Sequence, residues 1–440
     1  MRIWIRRSLL TFALCVAVLL VFPYALEVRS SNAQNPSAPG QIAALPPVRV
    51  PKLNATAPRF ADAAREGVAE LLGSGDGSIV GWRYANGLWG GHIKPNWWQS
   101  GLAVLTLVRY AERIHSVNPV FQNVLLRIYA RNIYKPYSAA KQDFANEFND
   151  DTGWWGIAWL EASRWELYDR HDVADARRFL AVAEWDARYI NGWPRICGGI
   201  GWAINRPPDT VTSAEFITLA AELTSYRDTP GIFYDPALAS TWVSEASRAL
   251  AWLEEERLID LRTGTMRDAL TASCQRTGGT LTYAQGEVAE ALLQLGNALH
   301  DPSYYDYAFN FLRYALTPSS GLIYRGVLQE RCEAFPGQCN HLGFHLDLPA
   351  YKGIFVNAVS DWSRATGSRA FRPFLHAQAV AVVDNTIRAG GDTPGHCATP
   401  QSCQFAFSWV GRPEPSSLGV TLGGQESAID ALTAALPQRS

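Results

Sequence analysis

The strongest constraint on how this 440-residue chain folds is a helical periodicity of apolar residues that recurs along its length. Apolar side chains repeat every three to four positions in about twelve segments, which are separated by loops containing Gly, Pro and Asp. Alternating strand patterns are nearly absent, although residues 321–325 (GLIYR) predict one short strand. The helical segments lie near residues 59–72, 97–115, 119–133, 153–169, 173–190, 210–226, 236–257, 283–299, 303–315, 349–366, 369–387 and 425–436.

Helices in consecutive hairpins predict an all-α (α/α)6 toroid, in which six hairpins close into a ring and the inner helices carry the core. An open helical solenoid is the alternative. The repeats of a solenoid would share a sequence signature at a fixed period, and this chain has none, which favours the toroid. Loops at 190–209, 257–282, 316–348 and 388–424 are long, Gly-rich and aromatic, so we expect them to carry function.

The N-terminus has the pattern of an export signal, with early arginines, an apolar stretch over residues 9–22 and small or polar residues near Ala33. We predict a signal peptide over 1–33, a flexible linker rich in Pro, Ala, Ser and Asn over 34–58, and a single domain over 59–440. The protein is therefore expected to be secreted or periplasmic, and an uncleaved membrane anchor is the alternative.

Composition excludes several classes of partner. The formal net charge is -2 and the basic residues are dispersed, so the chain lacks the concentrated positive field that nucleic acid binding requires. No Gly-rich phosphate loop precedes a Lys-Ser/Thr pair, which argues against a nucleotide partner. The chain contains 16 Trp and 17 Tyr, and such flat, amphipathic rings suit the faces of sugars as well as protein cores.

Removing the leader leaves six cysteines, an even number in a chain expected to mature in an oxidising compartment. Cys332 and Cys339 bracket one short loop, and Cys397 and Cys403 bracket another, so each pair is expected to form a disulfide. Cys197 and Cys274 then pair by elimination. A zinc site is disfavoured because neither short pair has the tight spacing or the nearby histidines of such a site.

Two adjacent carboxyl groups, Asp150 and Asp151, lie in the run 149–155 (NDDTGWW) at the predicted start of an aromatic helix. Glycoside cleavage uses two carboxyl groups, about 5–5.5 Å apart when the anomeric configuration is retained and about 6.5–9.5 Å apart when it is inverted. Neighbouring Cα atoms lie about 3.8 Å apart, so this pair fits the shorter separation and favours a retaining mechanism. The alternative is an ordinary helix cap with a solvated neighbour.

Several separated runs together resemble glycoside hydrolase family 76. The resemblance covers nearly all of residues 59–440, and its specificity comes from the order and spacing of the runs. It implies an (α/α)6 barrel and endo-α-1,6-mannanase activity. The matching runs are 97–100 (WWQS), 149–155 (NDDTGWW), 197–202 (CGGIGW), 282–286 (TYAQG), 351–356 (YKGIFV) and 425–428 (QESA).

Carried onto this sequence, the family's catalytic pair makes Asp150 the nucleophile and Asp151 the general acid/base. The positive end of a helix dipole would favour an ionised Asp150, and two carboxylates so close would leave the second protonated near neutral pH. Substrate-binding residues are expected in the matching runs. They are Trp97, Trp98, Gln99, Trp154, Gly199, Trp202, Asp209, Tyr283 and Gln285.

The sequence departs from the family's pattern at two places. Residues 208–213 (PDTVTS) replace a run that commonly contains two Asn residues, and Ala284 stands where Asn is usual. The loss of these amides removes hydrogen-bonding groups from a sugar cleft, so we expect the subsite preference to differ from that of typical members, with Asp209 as a substitute polar contact.

Other chemistries fit less well. No HExxH pair and no GxSxG elbow is present. His341 and His345 lie four apart beside Asp347, but Gly343 and Pro349 disfavour the helix that would make this arrangement a metal site. We therefore expect no metal and no cofactor.

The sequence thus predicts a monomeric, disulfide-bonded, retaining glycoside hydrolase whose partner is an α-linked mannan oligosaccharide or polysaccharide. Two alternatives remain: a cell-wall mannan transglycosylase, and a glycan-binding protein on the same fold without catalysis. Residues 434–440 lack the hydrophobic tail of a lipid-anchor signal, which favours a freely exported hydrolase.

Overall fold

A computed structural model describes residues 57–73, 87–89, 96–133, 143–335, 338–342, 346–386, 396–399, 402–412 and 419–437. The predicted leader, residues 1–33, and the linker up to residue 56 lie outside these ranges. Every predicted helical segment corresponds to a helix. The helices are α1 Ala57–Leu71, α2 Trp97–Arg113, α3 Pro119–Asn132, α4 Asn149–Tyr168, α5 Val173–Asn191, α6 Thr210–Asp228, α7 Pro236–Glu255, α8 Thr282–Leu299, α9 Ser303–Ala315, α10 Leu348–Thr366, α11 Arg372–Thr386 and α12 Leu422–Ala434.

The even-numbered helices form a closed inner ring. Helix α2 packs against α4, and the contacts continue through α6, α8, α10 and α12, which packs against α2 again. The odd-numbered helices form an outer layer: α3, α5, α7 and α9 pack on α2, α4, α6 and α8, whereas α1 and α11 both pack on α12. This arrangement confirms the predicted all-α (α/α)6 toroid and rules out an open solenoid.

Burial separates the two layers as helix packing requires. Inner helix α6 buries 16 of its 19 residues, whereas its outer neighbour α7 buries 6 of 20. A helix buried on nearly all sides must lie inside a core, and one with a single apolar stripe must face solvent on the other side. Among the described residues, no helix is both long and apolar enough to cross a membrane.

Local sequence signals explain where many helices begin. The side chains of Asp172, Asp209 and Asp235 accept hydrogen bonds from backbone N–H groups in the first turns of α5, α6 and α7. These groups have no partner within the helix, and a capping carboxylate satisfies them. Pro119 and Pro236 begin α3 and α7, where the missing proline N–H costs no hydrogen bond.

The long loops contain four two-stranded antiparallel hairpins, of which the sequence predicted one strand. Strands of two to four residues are too short to show an alternating pattern, so the others were not predicted. The pairs are β1 Ile259–Asp260 with β2 Thr265–Met266, β3 Ala269–Leu270 with β4 Arg276–Thr277, β5 Ile323–Tyr324 with β6 Val327–Leu328, and β7 His396–Thr399 with β8 Ser402–Gln404.

Two predicted disulfides, Cys197–Cys274 and Cys332–Cys339, are present. The third predicted pair occupies facing positions of the last hairpin, where Cys397 is opposite Cys403. Cys403 is disulfide-bonded, while the side chain of Cys397 lies outside the described residues. The two disulfides Cys197–Cys274 and Cys332–Cys339 therefore constrain three of the four long loops that the sequence analysis singled out.

Candidate active site

The first turns of the inner helices meet at one end of the ring. The indole Nε1 of Trp98, in the first turn of α2, donates to Asp347 Oδ1, just before α10, over 3.1 Å. The ring of Trp98 also lies 6.4 Å from that of Trp154 on α4, and Tyr283 on α8 stacks on Tyr351 of α10 at 3.9 Å. These contacts place residues that are far apart in sequence at one mouth, which we call the catalytic end.

Asp150 and Asp151 lie inside the first turn of α4, which begins at Asn149 and not at residue 153 as predicted. The Asp151 N–H donates to Asp150 Oδ1 over 2.9 Å. Asp151 Oδ2 accepts from Asn146 Nδ2 over 2.5 Å. Each carboxyl group therefore has a fixed oxygen and a second oxygen that remains available for chemistry.

Contacts with the Gly-rich loop, rather than a capping side chain, fix the start of α4. The N-cap residue Phe148 makes no side-chain cap and pairs across a β-bridge with Ala203. The Asn149 side chain donates to Gly201 O, and the Asn149 N–H donates to Trp202 O, both over 2.8 Å. Tertiary contacts thus impose a helix start that local sequence does not signal.

Gly199, a predicted substrate-binding residue, packs against the outer helix α7. The backbone of Gly199 packs so closely on Trp252 of α7 that a Cβ at this position would overlap the indole ring. The Trp252 indole also donates to Cys197 O over 2.9 Å. Only Gly allows such a close approach of backbone and ring, and the glycine-rich run is therefore structural at this position.

Burial dominates the electrostatics of the aspartate pair. Burial raises the pKa of Asp150 well above its usual range, and the neighbouring Asp151 raises it further. Burial also raises the pKa of Asp151, to about 7, while the hydrogen bond from Asn146 lowers it. Burial thus favours the protonated form of both carboxyl groups, whereas the positive end of the α4 dipole favours an ionised Asp150, and which aspartate holds the proton stays a prediction.

Two more carboxyl groups on α6 lie close to the pair. Asp209 caps α6 by accepting from the Thr212 N–H over 2.8 Å, and burial together with the charge of Asp150 raises its pKa to about 8. Glu215 is fully buried, and burial and then Asp150 raise its pKa well above its usual range. A Cβ at Gly153 would come within 2.5 Å of Glu215 Oε2, so Glu215 lies directly against the first turn of α4.

Sequence reasoning missed Glu215, because a single Glu within a helical run has no distinguishing pattern. Its two carboxylate oxygens have no hydrogen-bond partner among the described residues. It also missed Asp347, which it considered only as a metal ligand; the charge of Asp347 raises the pKa of both Asp150 and Asp151. His345 lies outside the described residues, as does the side chain of His341.

Aromatic rings line the site, although not all those predicted. Trp202 is half-buried and stacks on the exposed Phe148 at 5.7 Å, and Tyr283 is also half-buried. Trp98 has similar accessibility. These rings can present flat faces to a sugar.

Four predicted substrate-binding residues are buried and bonded within the protein or packed in its core. Trp97 and Trp154 are each about 5% exposed or less. The Gln99 amide accepts from Asn96 Nδ2 over 2.9 Å and donates to Leu346 O over 3.3 Å. The fully buried Gln285 is hydrogen-bonded to the Thr280 hydroxyl over 2.9 Å. Their interactions stabilise the floor and walls of the site rather than its open surface.

Among the described residues, one group of carboxylates is arranged closely enough for a metal ion: Glu166, Asp172 and Asp175, away from the catalytic end. Arg170 Nε lies 3.1 Å from Glu166 Oε2, and Gln122 Nε2 donates to Asp175 Oδ2 over 3.1 Å. The positions that a cation would neutralise are thus already occupied by side-chain donors, and this group is an ion-pair cluster.

A toroid of six helical hairpins with two adjacent aspartates at its mouth defines a glycoside hydrolase. The model of glycosyl hydrolase family 76 matches residues 82–439, and the chain belongs to that family. No curated protein sequence matches it significantly.

Solved structures share the fold. An inactive variant of an α-1,6-mannanase from Salegentibacter sp., in complex with α-1,6-mannotriose, has a TM-score of 0.63 at 18% identity over 86% of this chain and 99% of that one. Dfg5 from Chaetomium thermophilum, in complex with glucosamine, has a TM-score of 0.66 at 20% identity over 88% and 92%. An α-mannanase of this family from Bacteroides thetaiotaomicron has a TM-score of 0.61 at 15% identity over 86% and 95%.

Proposed function

We propose that this glycoside hydrolase cleaves α-1,6-mannosidic linkages in mannan-type glycans with retention of configuration, as a secreted or periplasmic protein. The observation that carries the proposal is the position of Asp150 and Asp151 together in the first turn of α4, at the mouth where the inner helices begin. The Salegentibacter mannanase supports it, because replacement of two consecutive aspartates by asparagine gives the inactive variant that was solved with α-1,6-mannotriose.

In this mechanism Asp150 attacks the anomeric carbon, and Asp151 protonates the departing glycosidic oxygen. The hydrogen bond from the Asp151 N–H to Asp150 Oδ1 stabilises the charged nucleophile, as does the N-terminus of α4. Burial raises the pKa of both carboxyl groups, so the pair retains a proton near neutral pH, and in this mechanism Asp151 holds that proton while Asp150 is the ionised partner. In the second step Asp151 removes a proton from water, which then displaces Asp150 from the sugar.

The exposed aromatic rings supply the binding surface. Trp202 and Phe148 lie next to the catalytic turn, and both can stack on the apolar faces of mannose units. Because the buried Gln99 and Gln285 already bond to protein groups, we assign polar recognition to the carboxyl groups at the mouth, including Asp347. A carboxylate accepts hydrogen bonds from neighbouring sugar hydroxyls.

Incubation of the purified protein with linear α-1,6-mannan tests the proposal. We expect short oligosaccharides, and proton NMR of the first products should show the α-anomer before mutarotation. First-formed β-anomer would overturn the retaining mechanism. Products longer than the substrate would indicate transfer to a sugar hydroxyl, and binding without any products would indicate a glycan-binding protein.

A further inference from the structure

A second concave site lies outside the ring, beside the catalytic end. It has a volume of about 810 Å³ and forms between the end of α7, the β1–β2 hairpin and α9. The turn of the hairpin docks on α9, where Asn310 Nδ2 donates to Leu261 O over 2.9 Å. The side chains that give the site its chemistry are Arg257, Arg262, Arg267, Arg331, Tyr307 and Tyr314.

The pocket concentrates positive charge in a chain whose net charge is -2. Its four arginines are exposed, and none forms an ion pair with a carboxylate within the described part of the chain. Only Glu254 and Asp260 oppose them in the lining. Four guanidinium groups without carboxylate partners around one concave site form a local positive field that favours an anion.

The backbone holds these arginines in place. Arg267 N–H donates to Leu258 O over 2.7 Å, and Arg331 Nε donates to Ser320 O over 2.6 Å. Arg257 has φ 52°, a left-handed conformation at the end of α7 where helices usually use Gly.

One wall is shared with the catalytic end. The Thr210 hydroxyl donates to Arg267 O over 2.6 Å, and the Thr210 N–H donates to Asp268 O over 2.8 Å. Asp209, whose pKa responds to Asp150, forms a β-bridge with Ala269. The segment that presents Arg267 to the pocket therefore also braces the start of α6 in the active site.

We propose that this pocket binds an anionic substituent, a phosphate or a carboxylate, carried by a saccharide that extends over the shared wall. Guanidinium groups form paired hydrogen bonds with the oxygens of such anions, and Tyr307 and Tyr314 provide rings for the sugar that carries them. That this saccharide is part of the glycan in the cleft rests on the proposed function. The anion site itself does not.

Calorimetric titration of the full-length protein with mannose 6-phosphate, mannose and inorganic phosphate tests the proposal. Mannose 6-phosphate should bind more tightly than inorganic phosphate, and its affinity should fall with added salt. Arg262→Gln and Arg267→Gln should each weaken that binding by about tenfold, because each removes a charge-assisted hydrogen bond. Far-UV circular dichroism checks that both variants remain folded.

Arg372→Gln on α11 is the matched control, since Arg372 is also exposed but does not line the pocket. An equal loss of affinity in that control, or no binding of mannose 6-phosphate, would overturn the proposal. If inorganic phosphate bound as tightly as mannose 6-phosphate, the pocket would be a site for free anions, and the proposal that it recognises a saccharide would be wrong. Calorimetry needs no turnover, so a failure of mannan hydrolysis leaves this result interpretable.

Discussion

The two ends of the inner ring bury carboxyl groups in opposite ways. At the catalytic end, Asp150, Asp151 and Glu215 have no Arg or Lys partner among the described residues. At the other end, Arg109 Nη2 lies 3.1 Å from Asp361 Oδ2, and arginines likewise neutralise the neighbouring carboxylates.

Near the C-terminal ends of the inner helices, Arg164 lies 3.3 Å from Glu222 and 3.5 Å from Glu161. Arg364 lies 2.9 Å from Asp361. Burial raises the pKa of carboxyl groups at both ends, but at this end arginines oppose the shift, as Arg164 does for Glu222, whose pKa is raised to about 8. The comparison shows that arginines pair with carboxyl groups at one end, whereas Asp150 and Asp151 at the other end lack such partners among the described residues.

The largest expected effect of a single substitution is a loss of activity at the catalytic end. Asp150→Asn should abolish hydrolysis, because an amide cannot form the glycosyl intermediate. Asp151→Asn should reduce it by about 10²–10⁴-fold, the usual contribution of a general acid. Release of reducing ends from α-1,6-mannan measures both effects. Asp306→Asn, at an exposed position on α9, is the control, and full activity of either site variant would disprove the assignment.

At the paired end, the same kind of change should affect stability instead. Arg109→Ala leaves Asp361 without one of its partners inside the ring, and breaking a buried pair in this way costs about 3–5 kcal/mol. Urea denaturation should show this loss, and Arg372→Ala should change stability by less than about 0.5 kcal/mol. If Arg109→Ala were as mild as the control, the pairing would not stabilise the ring.

A smaller effect is expected on the pH dependence of stability. Raised pKa values mean that the folded state holds protons that the unfolded state has released, since an unfolded Asp titrates near about 3.9. The stabilisation from Asp151 and Asp209 is thus fully present below about pH 4 and is lost as pH rises through their pKa values of about 7 and about 8. The melting temperature should fall between about pH 5 and pH 8.

Glu215→Gln sharpens this test, because it replaces a fully buried carboxyl group by a neutral side chain of similar shape. The melting temperature of the variant should fall less steeply with pH than that of the parent protein. Glu255→Gln, at an exposed position near the end of α7, should leave the slope unchanged. Parallel curves for all three proteins would mean that Glu215 carries no excess proton in the folded state.

The fold was predictable because its signal is distributed over many residues. Each helix has several apolar positions at helical spacing, and errors at a few positions do not change the pattern. The start of α4 was misplaced by four residues, because Phe148 gives no capping signal and the contacts of Asn149 with Gly201 and Trp202 come from a distant segment.

The chemistry of the site was less predictable, because it depends on which way single side chains face. Gln99 and Gln285 have the right donors for sugar hydroxyls but use them within the protein. Glu215 has no distinguishing sequence pattern along α6, and only its contact with Gly153 in the folded protein places it beside the catalytic turn. Burial, which raises the pKa of Asp150, is likewise a property of the assembled ring.

The loop that braces the catalytic turn is itself tethered by the bond between Cys197 and Cys274. Gly201 and Trp202, which hold Asn149, follow Cys197 closely in the chain. We therefore expect catalytic activity to depend on whether this disulfide has formed in each molecule. We expect chains matured without this bond to retain the helical ring but to hold the catalytic aspartates less firmly, so protein folded under reducing conditions should have a lower specific activity.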